Sequence, residues 1–335
     1  MGLKDYFTPK SLVYTGVFQE VQTKYRVFEL DPKGLVLSDQ YKTGLANKQY
    51  IQVIGLTDTE KIKKLGHDLE IDDLVLEDIL NVRQRDKFEM FDRYVFGVIK
   101  VRYLKEGLIK ESYMSLIMFE HLVISFHESE PEFLGLIENL LDQHVDIRLN
   151  SMDYMFYQIL DILTDHMIEV NDYLKDKMEE TEESILNAQT SDQETFYIIR
   201  KQLLKLKNSV YPLLDQLSDL VKKNKFISTN NLPYYDDLLD HLRRLDLELS
   251  QSRELMRHLL DLNMNNQSNR MNKIMTTLTL FSAIFIPLSF LTGFFGMNFL
   301  HFGILEYPDA ITLFLVFCLS LALVMIVLFK KAKWL

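Results

Sequence analysis

Cysteine is almost missing from this chain: Cys318 is the single one in 335 residues. That excludes a disulfide framework and a cysteine-rich metal centre. The short signatures of common enzyme sites are missing too. No GxxxxGK[ST] phosphate loop, no HExxH, no GxSxG and no glycine-rich nucleotide loop occurs, so the chain is not expected to be an enzyme or to bind a nucleotide. MGLKDYFTPK at the N-terminus lacks the apolar stretch of a secretory signal. The most informative absence is charge near the C-terminus. Between Lys273 and Glu306 nothing other than His301 can be ionised, and between Asp309 and Lys330 nothing is ionised at all. A membrane-spanning helix needs about 20 apolar residues, and both stretches reach that length.

The flanks of these two stretches differ. Arg270 and Lys273 precede the first; Lys330, Lys331 and Lys333 follow the second. The connecting segment 296–309 has no Lys or Arg and two acids, Glu306 and Asp309. The positive-inside rule then puts both termini in the cytoplasm of a multi-pass protein of the plasma membrane. Tyr307 and Trp334 fall where interfacial aromatics are expected. Up to Lys273 the chain carries 34 Lys and Arg against 46 Asp and Glu. Such an acidic cytosolic part should repel nucleic acid and attract cations.

Residues 1–147 read as an α+β module with a mostly antiparallel sheet. QYIQVIGL, RYVFGVIKVRYL, IKESYMSLIMF and LVISFHE are β-branched and aromatic, as strands are. Helical spacing marks 59–69, 75–83 and 132–143. From 148 to 230 the strand signal vanishes in favour of an acidic helical hairpin joined near 188–191, with Ser191 and Glu194 as a capping box. A third helix is expected to start near Pro233, a residue suited to a first turn. It has no breaker before Pro287, so a stalk, 231–273, would continue into a first span, 274–295. A loop 296–309, a second span 310–329 and a basic tail 330–335 complete the chain.

Two seams run along the third helix. Leu238, Leu242, Leu245, Leu249, Met256 and Leu259 form an apolar one with the 3.5-residue repeat of supercoiled packing. Asp261, Asn265, Ser268, Asn272, Met275, Thr279, Ser282, Ile286, Ser289 and Gly293 form a second one of mostly polar or small residues, in steps of four and three. Inside a membrane helix such a stripe is either a close helix–helix contact or the wall of a water-filled pore. Periodicity leaves both open. A pore would need a ring of subunits, because two spans cannot enclose one.

Gly296-Met297-Asn298 follows the first span directly, within IFIPLSFLTGFFGMNF. With SLVYTG (11–16), LVLEDILNVRQRDKFE (74–89), YYDDLLDH (234–241) and the basic tail KKAKWL, it resembles the CorA family of divalent-cation channels, which carries Gly-Met-Asn at this place. Phe295 stands where the family usually has Tyr, and the loop LHFGILEYPD lacks the family's acidic stretch. The resemblance implies a homopentameric funnel whose first span lines the pore. It also implies a regulatory magnesium site between subunits at Asp78 and Asp237, with Glu77 beside it.

Mg²⁺ demands octahedral oxygen coordination and dehydrates reluctantly. A ring of Asn298 amide oxygens with Gly296 carbonyls can hold its hydration waters without binding it too tightly to leave. The selectivity filter is therefore expected at Gly296, Met297 and Asn298. Asn272, Met275, Leu278, Thr279, Ser282, Ile286, Ser289 and Gly293 are expected to line the pore, with Met275, Leu278 and Ile286 as apolar constrictions. No Asp or Glu lies in the first span, which argues against a proton relay. Membrane potential, about 2.3 kcal/mol per charge per 100 mV, suffices to drive influx. Mg²⁺ is thus expected both as cargo and as regulator, with Co²⁺ and Ni²⁺ as further cargo. The alternatives are a zinc transporter of the same superfamily and a membrane-anchored coiled-coil scaffold.

Overall fold

The computed structural model describes residues 12–31, 34–43, 48–187, 193–223, 225–297, 303 and 307–332. Asn298 and Ser191 lie outside them. The N-terminal elements run β1 (Lys24–Asp31), β2 (Gly34–Ser38), β3 (Gln49–Ile54), α1 (Thr59–Asp68), α2 (Asp73–Leu80), β4 (Lys87–Met90), β5 (Val95–Lys105), β6 (Leu108–Met118), β7 (Leu122–His127), α3 (Phe133–Gln143) and α4 (Val145–Leu149). Four helices follow: α5 (Met152–Leu186), α6 (Gln193–Lys223), α7 (Leu232–Phe295) and α8 (Ala310–Lys331).

The seven strands form one sheet in the order β2-β1-β3-β7-β6-β5-β4. Its ladders are antiparallel except β3–β7, where Tyr50 pairs with Val123 and Gln52 with Ser125 in parallel register. β5 and β6 are joined by Glu106 and Gly107 alone, both at positive φ (51° and 72°). That is the primed turn whose twist matches a two-residue hairpin. Sequence reasoning finds β3, β5, β6 and β7 because they are apolar runs. It misses β1, whose apolar residues are interleaved with Lys24, Arg26 and Glu29, and the short edge strands β2 and β4.

One face of the sheet buries Val27, Ile51, Val53, Phe96, Val98, Ile117, Ile124 and Phe126 against α1 and α2 residues Ile62, Leu65, Val75, Leu76 and Ile79. The two helices approach closely at Gly66, where a Cβ would stand 2.5 Å from Leu76. Asp58 caps α1 by accepting from the Lys61 amide at 3.0 Å. The aromatic contacts Tyr103–Phe133 and Phe88–Phe156, at 5.9 and 6.3 Å between ring centroids, tie β5 to α3 and β4 to α5.

The chain divides into two compact units, Met1–Glu182 with Asp192–Arg257, and Glu183–Ser191 with His258–Leu335. In the first, the start of α7 is bolted to α5. Asp153 accepts from the Ser228 amide at 2.8 Å and from Asn231 Nδ2 at 2.9 Å, and its carbonyl accepts from the Tyr235 hydroxyl at 2.8 Å. The apolar seam is buried: Leu238, Leu242, Leu245, Leu249, Met256 and Leu259 are each at most 2% exposed. Pro212 sits inside α6 without ending it, a feature that periodicity does not reveal. In the second unit, Asn266 Nδ2 donates to the Ile185 carbonyl at 3.1 Å, and Phe295 meets Phe314 of α8 at 4.9 Å.

Candidate pore and regulatory sites

The two apolar stretches are helical and uncovered. Only 6% of the apolar window in α7 is buried, and none of that in α8. A soluble protein does not leave some forty apolar helical residues in water, so these faces need lipid or further protein.

Along α7 the polar seam lies open. Asn272, Thr279, Ser289 and Gly293 are exposed and Ser282 is half-buried; Met275, Leu278 and Ile286 are 54, 60 and 66% exposed. Among the described residues the side chains of Asn272, Thr279, Ser282 and Ser289 make no hydrogen bond. By contrast, Thr277 and Thr292, off the seam, donate to the Lys273 and Ser289 carbonyls at 2.8 and 3.0 Å. Thr276, on the seam's flank, is exposed as well. A Cβ at Gly293 would meet nothing within 4 Å, so this position leaves room rather than serving close packing inside the chain. At the end of the helix the Gly296 amide donates to the Thr292 carbonyl at 2.9 Å, and that of Met297 to Phe294 at 3.3 Å. Gly296 and Met297 thus close the last turn of α7, and among the described residues neither carbonyl accepts a backbone hydrogen bond.

The acids proposed for regulation are in unlike surroundings. Asp78, at the end of α2, has both carboxylate oxygens engaged: Oδ1 accepts from Gln84 Nε2 and Oδ2 pairs with Lys87 Nζ, each at 2.5 Å. Lys87 is 14% exposed, bridges to Glu89 at 2.8 Å and lies 5.6 Å above the Phe96 ring. Burial opposes its charge, but the hydrogen bonds it donates to Asp78 and Glu89 prevail and raise its pKa. Glu77 is half-buried. Asp237, in the second turn of α7, is 65% exposed, with His241 Nε2 3.9 Å away. Facing it from α5 is Asp161, whose pKa is raised by burial, then by Asp165 and Asp237, with His241 opposing.

Among the described residues no group of three or more His, Cys, Asp or Glu side chains is placed to hold a metal. Glu77, Asp78 and Asp237 are therefore not a ligand set within one chain. Asp237 has an open hard-oxygen donor, as Mg²⁺ prefers. Asp78 can offer one only in exchange with Lys87. Sequence reasoning missed that lysine, although it lies nine residues from Asp78, because nothing in spacing reveals a counter-ion across a turn.

In comparison with known proteins, residues 49–331 match the family model described as CorA-like Mg²⁺ transporter protein. The chain is 29% identical to the cobalt/magnesium transport protein CorA of Thermotoga maritima over all of this chain and 99% of that one. It is 30% identical to the zinc transport protein ZntB of Yersinia pseudotuberculosis, over only 53% of this chain and 54% of that one. Among solved structures, the CorA magnesium transporter of Methanocaldococcus jannaschii superposes with a TM-score of 0.77 at 19% identity, covering 93% of this chain and 98% of that one.

Proposed function

This chain belongs to the CorA-like Mg²⁺ transporter family, and from that membership we propose that it is the subunit of a membrane channel that admits Mg²⁺, and with it Co²⁺ and Ni²⁺, down the membrane potential. Five copies form a ring with the seam of α7 facing its axis. In this reading 231–273 is the stalk, 274–295 the pore-lining span, 296–309 the outer loop and 310–329 the second span. Both termini lie in the cytoplasm and the membrane is the plasma membrane.

The observation that carries the reading is the open seam. Asn272, Thr279, Ser282 and Ser289 sit on an apolar helix with no hydrogen-bond partner among the described residues. In hydrocarbon each such group costs several kcal/mol, so the seam belongs against water or another subunit. A ring of copies around a wet axis supplies both. Neutral Asn, Thr and Ser oxygens bind a hydrated Mg²⁺ through its waters, which lets it pass without dehydration. Gly296 and Met297, where helical pairing runs out, supply backbone carbonyls at the mouth beside Asn298, which we assign to the filter. Met275, Leu278 and Ile286 narrow the path with apolar rings that dewet.

Regulation follows from the same chain. Mg²⁺ inside the cell bridges Asp78 of one subunit and Asp237 of the next, with Glu77 close by, and holds the ring closed. This shifts populations only if the ion binds the closed ring more tightly than the open one.

The zinc reading is the runner-up, and three zinc transport proteins ZntB match in sequence over only 53% of this chain. Uptake of Mg²⁺, Co²⁺ and Zn²⁺ into liposomes holding the purified protein, under an inside-negative potential, separates the two. Uptake of Mg²⁺ and Co²⁺ is expected; uptake of Zn²⁺ alone would transfer the chain to the other class.

A further inference from the structure

The face of α7 turned away from the polar seam has its own chemistry. Arg270, Lys273, Ile274, Thr277 and Phe281 lie roughly 120–180° around the helix from the mean direction of that seam. Leu278, at the edge of that face nearest the seam, joins them in lining a groove of about 460 Å³. Ile274 and Phe281 are 55 and 59% exposed. The Thr277 hydroxyl is spent on the Lys273 carbonyl within its own helix, so the groove below the two cations offers no free donor from this residue. Arg270 and Lys273 are exposed and, among the described residues, neither has an ion-pair partner. No Asp or Glu occurs between Asp261 and Glu306, so two neighbouring cations sit at the very start of the apolar window without a countercharge. Structural lysines and arginines elsewhere in the chain, such as Lys87, Arg102 and Lys175, do have acidic partners.

We propose that this face binds one anionic phospholipid, its phosphate held between Arg270 and Lys273 and one acyl chain lying along Ile274, Thr277 and Phe281. The chemistry is complementary at both ends: a cationic pair at the water boundary, then an uncharged apolar strip running into the hydrocarbon. The overall negative charge of the chain does not oppose this, because all its acids except Glu306 and Asp309 lie upstream of the site. The inference rests on the reading that 274–295 crosses a membrane, and it gives the outward side of α7 an occupant where the seam has the ion path.

The test reads lipid bound per subunit by mass spectrometry of the full-length protein purified in neutral detergent, titrated with phosphatidylglycerol or phosphatidylcholine. Each cation near an anionic bilayer surface is worth about five-fold in affinity, so the double change R270Q/K273Q should weaken phosphatidylglycerol binding about twenty-five-fold and leave phosphatidylcholine unaffected. Arg270→Lys, which keeps the charge, should bind almost as the wild type does, and Phe281→Ala should weaken the lipid. Millimolar inorganic phosphate should not displace the lipid. Equal binding of the two lipids, binding untouched by R270Q/K273Q, or full displacement by free phosphate would overturn the proposal. So would disulfide cross-linking between copies through Thr277→Cys in a Cys318→Ser background, which would make this face a subunit contact. The readout involves no ion flux, so failure of lipid binding and failure of the channel reading in a transport assay are distinguishable.

Discussion

Lys87 Nζ lies 2.5 Å from Asp78 Oδ2 in a nook where the lysine is only 14% exposed, so the carboxylate assigned to regulatory Mg²⁺ already holds a cation of its own chain. Binding of Mg²⁺ at Asp78 is then an exchange: the lysine must yield, or share the carboxylate, before the ion can bridge to Asp237. Removing the competitor should strengthen regulation. Lys87→Met, which keeps the side-chain length against Phe96, should lower the internal Mg²⁺ needed for half-inhibition several-fold. The double change D78N/D237N should do the reverse and leave currents poorly inhibited. Excised-patch currents across a series of internal Mg²⁺ concentrations measure both; wild-type inhibition in the double variant would remove these residues from the mechanism.

The filter assignment makes a sharper demand. Asn298→Ala deletes the amide oxygen assigned to the hydrated ion while leaving the helix before it intact. Mg²⁺ uptake should drop by at least ten-fold with assembly, followed by size-exclusion chromatography, unchanged. Near-normal uptake by the assembled variant would move the filter elsewhere.

Ile286 is the most exposed of the three residues assigned to the apolar constrictions, at 66%. If it closes the path by dewetting, Ile286→Ser should wet the constriction and raise flux at high internal Mg²⁺. Unchanged flux with an unchanged Mg²⁺ dependence would make Ile286 a packing residue.

His127, at the end of β7, is fully buried and accepts or shares a proton only with Ser125, at 2.8 Å. Burial disfavours the charged ring and lowers its pKa to about 3. The unfolded chain therefore takes up a proton near pH 6.5 that the folded chain refuses. Stability from the neutral ring is full above pH 6.5 and is lost as pH falls from there toward 3, by roughly 2 kcal/mol at pH 5. His127→Gln should flatten this part of the acid-unfolding profile. Denaturant midpoints for the full-length protein and the variant at pH 7.5 and 5 check it. An identical loss in both would clear His127.

What the sequence disclosed, and what it hid, divides along the range of the interactions. The apolar seam of α7 was legible because Leu238 to Leu259 repeat within one helix, and the spans were legible because charge is absent from them. β5 to β7 announced themselves through dense β-branched and aromatic residues that outweigh the Lys100, Arg102, Lys110 and Glu111 among them. β1 did not, because Lys24, Arg26 and Glu29 interrupt it, and its partners come from 34–38 and 49–54. The anchor of α7 was equally hidden: Asp153 meets Ser228 and Asn231 across more than seventy residues. For the pore, the polar seam could be drawn from spacing, but whether its hydroxyls bond to their own helix could not. Thr277 does and Thr279 does not, a difference of rotamer and surroundings rather than of residue type.

The central claim is that the seam of α7 faces the ion's path, and the most direct measurement of it compares two adjacent residues. In a Cys318→Ser background, Ser282→Cys and Phe281→Cys differ by one position and about 100° around the helix. Proteins bearing each change are reconstituted, and Mg²⁺ uptake is measured before and after a water-soluble, charged thiol reagent. Uptake through Ser282→Cys should be blocked almost completely, and uptake through Phe281→Cys should be unaffected. Block at Phe281→Cys with none at Ser282→Cys would contradict the account by placing the path on another side of the helix.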